Sequence, residues 1–126
     1  MDIDTVLVPV DGSGESDRAI EVAVAVAERY DAQVHALYVL DRDRREHTEE
    51  MMTSVRALAD DVPLTHSVAY GFSTSHLTTH PGSVVLDAGE DAGADFLVVP
   101  REHPGELLGK VAGYVLQFAE QPVLSV

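Results

Sequence analysis

The sequence predicts an α/β protein: an open sheet of five parallel strands with helices on both faces. Three observations carry this. Short β-branched runs, apolar on both sides, alternate with stripes of helical period; the connections between them are short; and no repeat, low-complexity tract or linker interrupts the order. One domain over residues 1–126 is the expectation for a chain of this length.

Thr5 to Val10 (TVLVPV) is the first strand, and the turn cluster Asp11-Gly12-Ser13-Gly14 stops it. Ser13 or Ser16 can cap the helix that follows, with Glu15 and Asp17 complementing the positive end of its dipole. Ala19, Ile20, Ala23, Val24 and Ala27 place one apolar stripe on that helix. Gln33 to Leu40 reads as a second strand. After a connector of mixed charge, Thr48 can cap a helix carrying Met51, Met52, Val55, Leu58 and Ala59, which Pro63 ends. Leu64 to Tyr70 is a more polar strand suited to an edge, and Phe72 to His80 reads as a loop. Pro81 can open a helix running to Gly93; Phe96 to Val99 is a buried strand. Leu107, Leu108, Val111, Ala112, Val115, Leu116 and Ala119 form the strongest helical stripe, with Pro104 able to sit in its first turn, and Pro122 to Val126 is the final strand.

The charge excludes some functions. Eight Lys and Arg against 22 Asp and Glu leave a formal −14, and Arg42, Arg44 and Arg45 are interleaved with acids, so no basic stripe exists for nucleic acid or an anionic membrane. Acidity of this degree fits either adaptation to a salty cytoplasm or plain solubility. The absence of cysteine removes disulfides, thiolate metal sites and cysteine nucleophiles. The N-terminus shows no signal-peptide pattern and no apolar run reaches bilayer length, so a cytoplasmic location is expected.

In open parallel sheets, ligands bind beyond the C-terminal strand ends where strand order reverses. Asp11 is the residue singled out by that rule, with two open readings. Its carboxylate can accept from an amine or ribose hydroxyl, or it can form an Asx turn that shapes the loop. Other patterns are incomplete. Gly12-Ser13-Gly14 begins a dinucleotide fingerprint, but Asp17 stands at its third glycine. Gly71-Phe72-Ser73-Thr74-Ser75 lacks the last glycine of a nucleophile elbow. His76 and His80 have helical metal-ligand spacing in a loop-like segment without a third ligand, and His35 reads as a satisfied or surface-facing strand residue. The acids Asp87, Asp91 and Glu102 offer Asp11 no visible partner acid or base, and the acids and Lys110 do not fall where a receiver domain needs them.

Val6-Leu7-Val8-Pro9-Val10-Asp11-Gly12-Ser13 with Ser16, Arg18 and Ala19 resembles the N-terminal signature of the universal stress protein family. Ala94 to Val99 is similar to that family's fourth strand, Leu107-Leu108-Gly109 with Val111-Ala112 to the start of its last helix, and Gln121 to Val126 to its closing strand. The resemblance implies a Rossmann-like, adenine nucleotide alpha hydrolase-like sheet in the order 3-2-1-4-5, and a dimer joined through the last strands. It also implies that ATP, or another adenine nucleotide, would meet Pro9, Asp11 and Val39 on its adenine and ribose side. The family's phosphate loop is a glycine pattern from which this chain departs: Pro100 stands at the first glycine, the second has no match, and Lys110 replaces the Ser or Thr after Gly109. That leaves Gly109, Lys110 and Val111 as the residues where the resemblance places the phosphate tail. Pro100 and Pro104 have no N–H to give, and a helix begun at Pro104 would already have used the Gly109 amide. Lys110 can meet a phosphate as a point charge or lie solvated among carboxylates. The expectation is a non-catalytic, dimeric stress-response domain with a degraded or altered ATP site. The alternative is an intact adenine-nucleotide-binding protein or a nucleotide or phosphate-ester hydrolase. Homodimerisation through Pro122 to Val126 has its own rationale, since an apolar outermost strand leaves an open edge that pairing closes.

Overall fold

A computed structural model describes residues 2–40, 48–70, 80–101 and 108–126. The 41–46 connector, Gly71, His76, Glu102, Pro104 and Leu107 lie outside these described residues. Strands β1 (Thr5–Val10), β2 (Gln33–Leu40), β3 (Leu64–Tyr70), β4 (Phe96–Val99) and β5 (Val123–Ser125) form one sheet in the order β3-β2-β1-β4-β5. Every neighbouring pair is parallel. Helices α1 (Gly14–Tyr30), α2 (Thr48–Ala59), α3 (Pro81–Ala92) and α4 (Val111–Phe118) connect them, a 3-10 turn at Leu108–Lys110 leading into α4.

The period-two alternation of a strand sorts the sheet residues into two cores. Val6, Val8, Val10, Val34, Ala36, Tyr38, Leu40 and Val98 pack with the stripes of α1 and α2. Leu7, Leu37, Val39, Leu97 and Val99 pack with Val85 of α3 and Val111, Ala112 and Val115 of α4. Helices on both sides are why β1 is buried at all six positions, as its unbroken apolar run requires.

Local signals set the helix ends. Ser13 caps α1, its Oγ accepting from Ser16 N, and Asp31 closes the helix in a left-handed turn, its N–H reaching the carbonyls of Ala27 and Glu28. His80, expected in a loop, caps α3: its Nδ1 accepts from Gly82 N at 3.0 Å, just ahead of Pro81 in the first turn. α2 already includes Thr48 as its first residue.

The last helix differs from expectation at both ends. It begins at Val111 behind the 3-10 turn, so Gly109 is not in its interior. It also stops before Ala119, which is its C-cap, and Leu116 is 55 % exposed instead of joining the buried stripe. At about 100° per residue, Leu116 lies well round the helix from Val111 and Val115, and among the described residues no strand beyond β5 covers it. The partner strand β5 is three residues long.

Candidate functional site at the end of the first strand

Strand order reverses between β1 and β4, because the chain builds outward through β2 and β3 and then returns to the other side. The β1–β4 ladder pairs Val6 with Phe96 and Leu7 with Leu97. β1 continues to Val10, and β2 runs past it: Val10 pairs with Tyr38, leaving Val39 and Leu40 paired only with Ala69 and Tyr70 of β3. The C-terminal end of β1 is thus the topological switch point, the place where the sequence rule expects a ligand crevice.

Asp11 follows β1 at this point, half-buried. Its Oδ1 accepts from Ser13 N at 2.9 Å and from Ser13 Oγ at 2.5 Å, the Asx turn that was one of its two readings. Ser13 Oγ in turn accepts from Ser16 N at 3.2 Å, and the fully buried Ser16 donates from its own Oγ to Ser13 O at 3.0 Å. The turn thus locks the carboxylate to the start of α1. Among the described residues, Asp11 Oδ2 accepts no hydrogen bond, so the second reading stands beside the first: one oxygen builds the loop and the other is available. Gly12 makes the reversal at φ +85°, where a side chain would be strained, and Met51 of α2 lies over it, 3.5 Å from where a Cβ would sit.

Electrostatics argue against an anion on the α1 side. The Asp17 carboxyl is held above its ordinary range, first by partial loss of solvent around this largely exposed group and then by the Glu21 and Asp11 carboxylates. A pyrophosphate at this helix start would meet the same charges, in line with the incomplete dinucleotide fingerprint.

On the other side of β1 lie β4 and, packed on that half of the sheet, α4. Pro9 and Val39 are buried beside the crevice, with Val39 in the core beneath α3 and α4. Pro100, buried, has no N–H, and the next amide, Arg101 N, donates to Val126 O at 2.7 Å. Neither backbone position has an amide to offer a phosphate. Gly109 and Lys110 lie in the 3-10 turn that leads into α4, so Gly109 is not in the interior of the α-helix. Lys110 is exposed at the α4 N-cap with no side-chain cap bond, and Val111 is buried under the segment.

His35 and His80 have structural partners. His35 is buried, its Nδ1 2.7 Å from Thr65 Oγ1 and its Nε2 2.9 Å from Ser67 Oγ, and burial foremost, then the nearby His66, pushes its pKa below the ordinary value. His80 has its Nδ1 engaged as the α3 cap. Among the described residues no group of three His, Asp or Glu could hold a metal. Sequence reading missed Asp95: its Oδ2 accepts from Asp4 N at 2.9 Å and Thr5 N at 3.1 Å, tying the start of β1 to β4 at the end of the sheet away from the crevice.

Solved structures share this architecture. A universal stress protein in complex with cAMP superposes with a TM-score of 0.75 at 22% identity, over 100% of this chain and 98% of that one. The universal stress protein UspA from Lactobacillus plantarum gives a TM-score of 0.79 at 21% identity, over 100% and 99%. A universal stress protein from Archaeoglobus fulgidus in complex with dAMP gives 0.73 at 16%, over 99% and 98%. No curated protein sequence matches the chain. The sequence model of the universal stress protein family matches residues 2–126, nearly the whole length. With the sheet order and the Asp11 turn in place, the chain belongs to the universal stress protein family.

Proposed function

We propose that this chain is a non-catalytic stress-response protein that binds the adenosine end of an adenine nucleotide over Asp11, grips the phosphate tail only weakly, and works as a homodimer. The observation that carries the reading is the contrast between the two walls of one crevice. Among the described residues nothing hydrogen-bonds Asp11 Oδ2 and Pro9 and Val39 are buried, while Pro100 and Arg101 present no free amide. A phosphate cradle needs several such donors at once. The relatives in complex with cAMP and dAMP carry a single phosphate each, which suits a site that does not depend on a triphosphate grip.

Calorimetric titration in molar KCl with adenosine, AMP and ATP tests this. All three are expected to bind, ATP no more than about tenfold tighter than adenosine, since an exposed charge pair adds about 1 kcal/mol at most. Asp11→Asn keeps the Oδ1 acceptor of the turn but removes the charge, and should weaken all three ligands about tenfold or more. No binding by the unsubstituted chain would sink the proposal.

A second reading rests on the Gly109 amide and exposed Lys110 at the start of α4, which together could still hold a terminal phosphate and support hydrolysis. It expects Lys110→Ala to cut ATP affinity while sparing adenosine, and turnover of ATP or a phosphate ester with a divalent metal.

For the dimer, the support is an edge strand flanked by exposed apolar side chains: Leu124 on β5, 39 % exposed, and Leu116 on α4. Light scattering in molar salt is expected to give twice the chain mass, and Leu124→Asp to return the monomer.

A further inference from the structure

The exposed side of α1 carries apolar side chains among its charged ones. Glu21, Val22, Ala25, Val26, Arg29 and Tyr30 line a shallow open groove there, with a volume of about 390 Å³. These positions recur at helical spacing beside the buried stripe Ala19, Ile20, Ala23, Val24 and Ala27, and Val22 and Val26 also pack in part against the core. Ala25 is exposed, Tyr30 is 48 % exposed, and Val22 and Val26 are half-buried. An apolar strip of this kind on the outside of so acidic a protein asks for a partner.

The order of its charges says which partner. Glu21 lies four residues before Ala25 and Arg29 four residues after it, on the same strip. If a second α1 lies antiparallel across the first, with the two-fold axis at Ala25, each Glu21 meets the other copy's Arg29, and the two valines of one copy pack against those of the other. Ala25, the smallest side chain of the strip, falls at the crossing, where close approach of two helices needs it. A surface that is complementary to itself under a two-fold is the signature of an isologous contact. Nucleic acid and anionic lipid are poor occupants for a chain with a formal charge of −14.

We infer that α1 is a self-association surface, pairing antiparallel with α1 of a second copy about an axis at Ala25. This contact is separate from the β5 edge, so a chain that uses both assembles beyond a dimer. The apolar strip spans nine residues, about 14 Å of helix, far less than an interface of ~800 Å² per partner needs, so the pairing is weak and concentration-dependent.

The cysteine-free background makes a direct test possible. With oxidised glutathione as the oxidant, an Ala25→Cys chain is expected to cross-link to a covalent dimer at least tenfold faster than a Glu90→Cys chain, whose thiol sits on exposed α3 surface. In the Ala25→Cys background at ~0.15 M salt, Glu21→Arg and Arg29→Glu should each slow cross-linking about tenfold, and the double exchange should restore it. Leu124→Asp should leave the rate unchanged, which separates this contact from the β5 dimer. Equal rates for Ala25→Cys and Glu90→Cys overturn the inference. So does a double exchange that fails to restore, because only the antiparallel two-fold re-pairs both charges. Thermal melts of each variant confirm that the exposed substitutions leave the fold intact.

Discussion

Asp11 and Asp95 are both carboxylates that accept backbone hydrogen bonds, yet they do different work. Asp11 shapes a turn with one oxygen and leaves the other open over the crevice, while Asp95 uses one oxygen to hold Asp4 N and Thr5 N at the opposite end of the sheet. Asp95→Ala strands two amides, one of them part-buried, and should lower stability by about 1–3 kcal/mol in urea unfolding; Asp95→Asn, which keeps an acceptor, should cost less. His35 gives a pH dependence whose sign follows from its burial. Its folded pKa lies below the unfolded value, so unfolding takes up a proton as pH falls past the ordinary histidine range. Stability from His35 is full above about pH 6.5 and is lost as pH falls toward its folded pKa. The melting temperature is expected to drop between pH 7 and pH 5, and to drop less in His35→Gln.

Among the described glycines, Gly82 makes the closest approach to another element, that of α3 to α4. A Cβ at Gly82 would fall 2.6 Å from Tyr114, whose ring stacks on His80 with centroids 4.4 Å apart and meets Phe118 at 4.6 Å. Gly82→Ala should therefore cost about 1–3 kcal/mol by overpacking, read as a lower denaturation midpoint with little change in slope. Nothing in the sequence marked this contact, because Gly82 follows a proline and reads as part of a helix start. What the sequence did disclose is what its periodicity encodes locally: all five strands, all four helices, the Ser13 cap and the Gly93 stop. Misreadings arose where tertiary context decided. Leu116 and Ala119 continue the apolar period of α4, but the sheet beneath them ends at a three-residue strand and the helix ends with it. At the crevice, position within the order of strands pointed to Asp11. The division of labour between its two oxygens was beyond sequence, since an Asx turn and a ligand site use the same residue type.

Over the whole molecule, 22 acids against 8 Lys and Arg create self-repulsion that the compact state must carry. Raising salt from ~0.01 M to 1 M shortens the screening length from ~30 Å to ~3 Å, so the melting temperature should rise along that series. A flat response would leave solubility as the sole use of the charge. The placement of β1 in the middle of the sheet has a kinetic result. Its pairing with β2 joins neighbours in the chain, whereas Asp4 and Asp95 stand 91 residues apart and meet only when a loop of that length closes. The half containing β1, β2 and β3 can take shape from near contacts, and the half containing β4 and β5 must be brought in from afar, which slows folding. The crevice lies along the seam between the two. A nucleotide that bridges this seam would hold the late-arriving half in place, acting as a clasp on the order in which the molecule assembles as well as a ligand of the finished form.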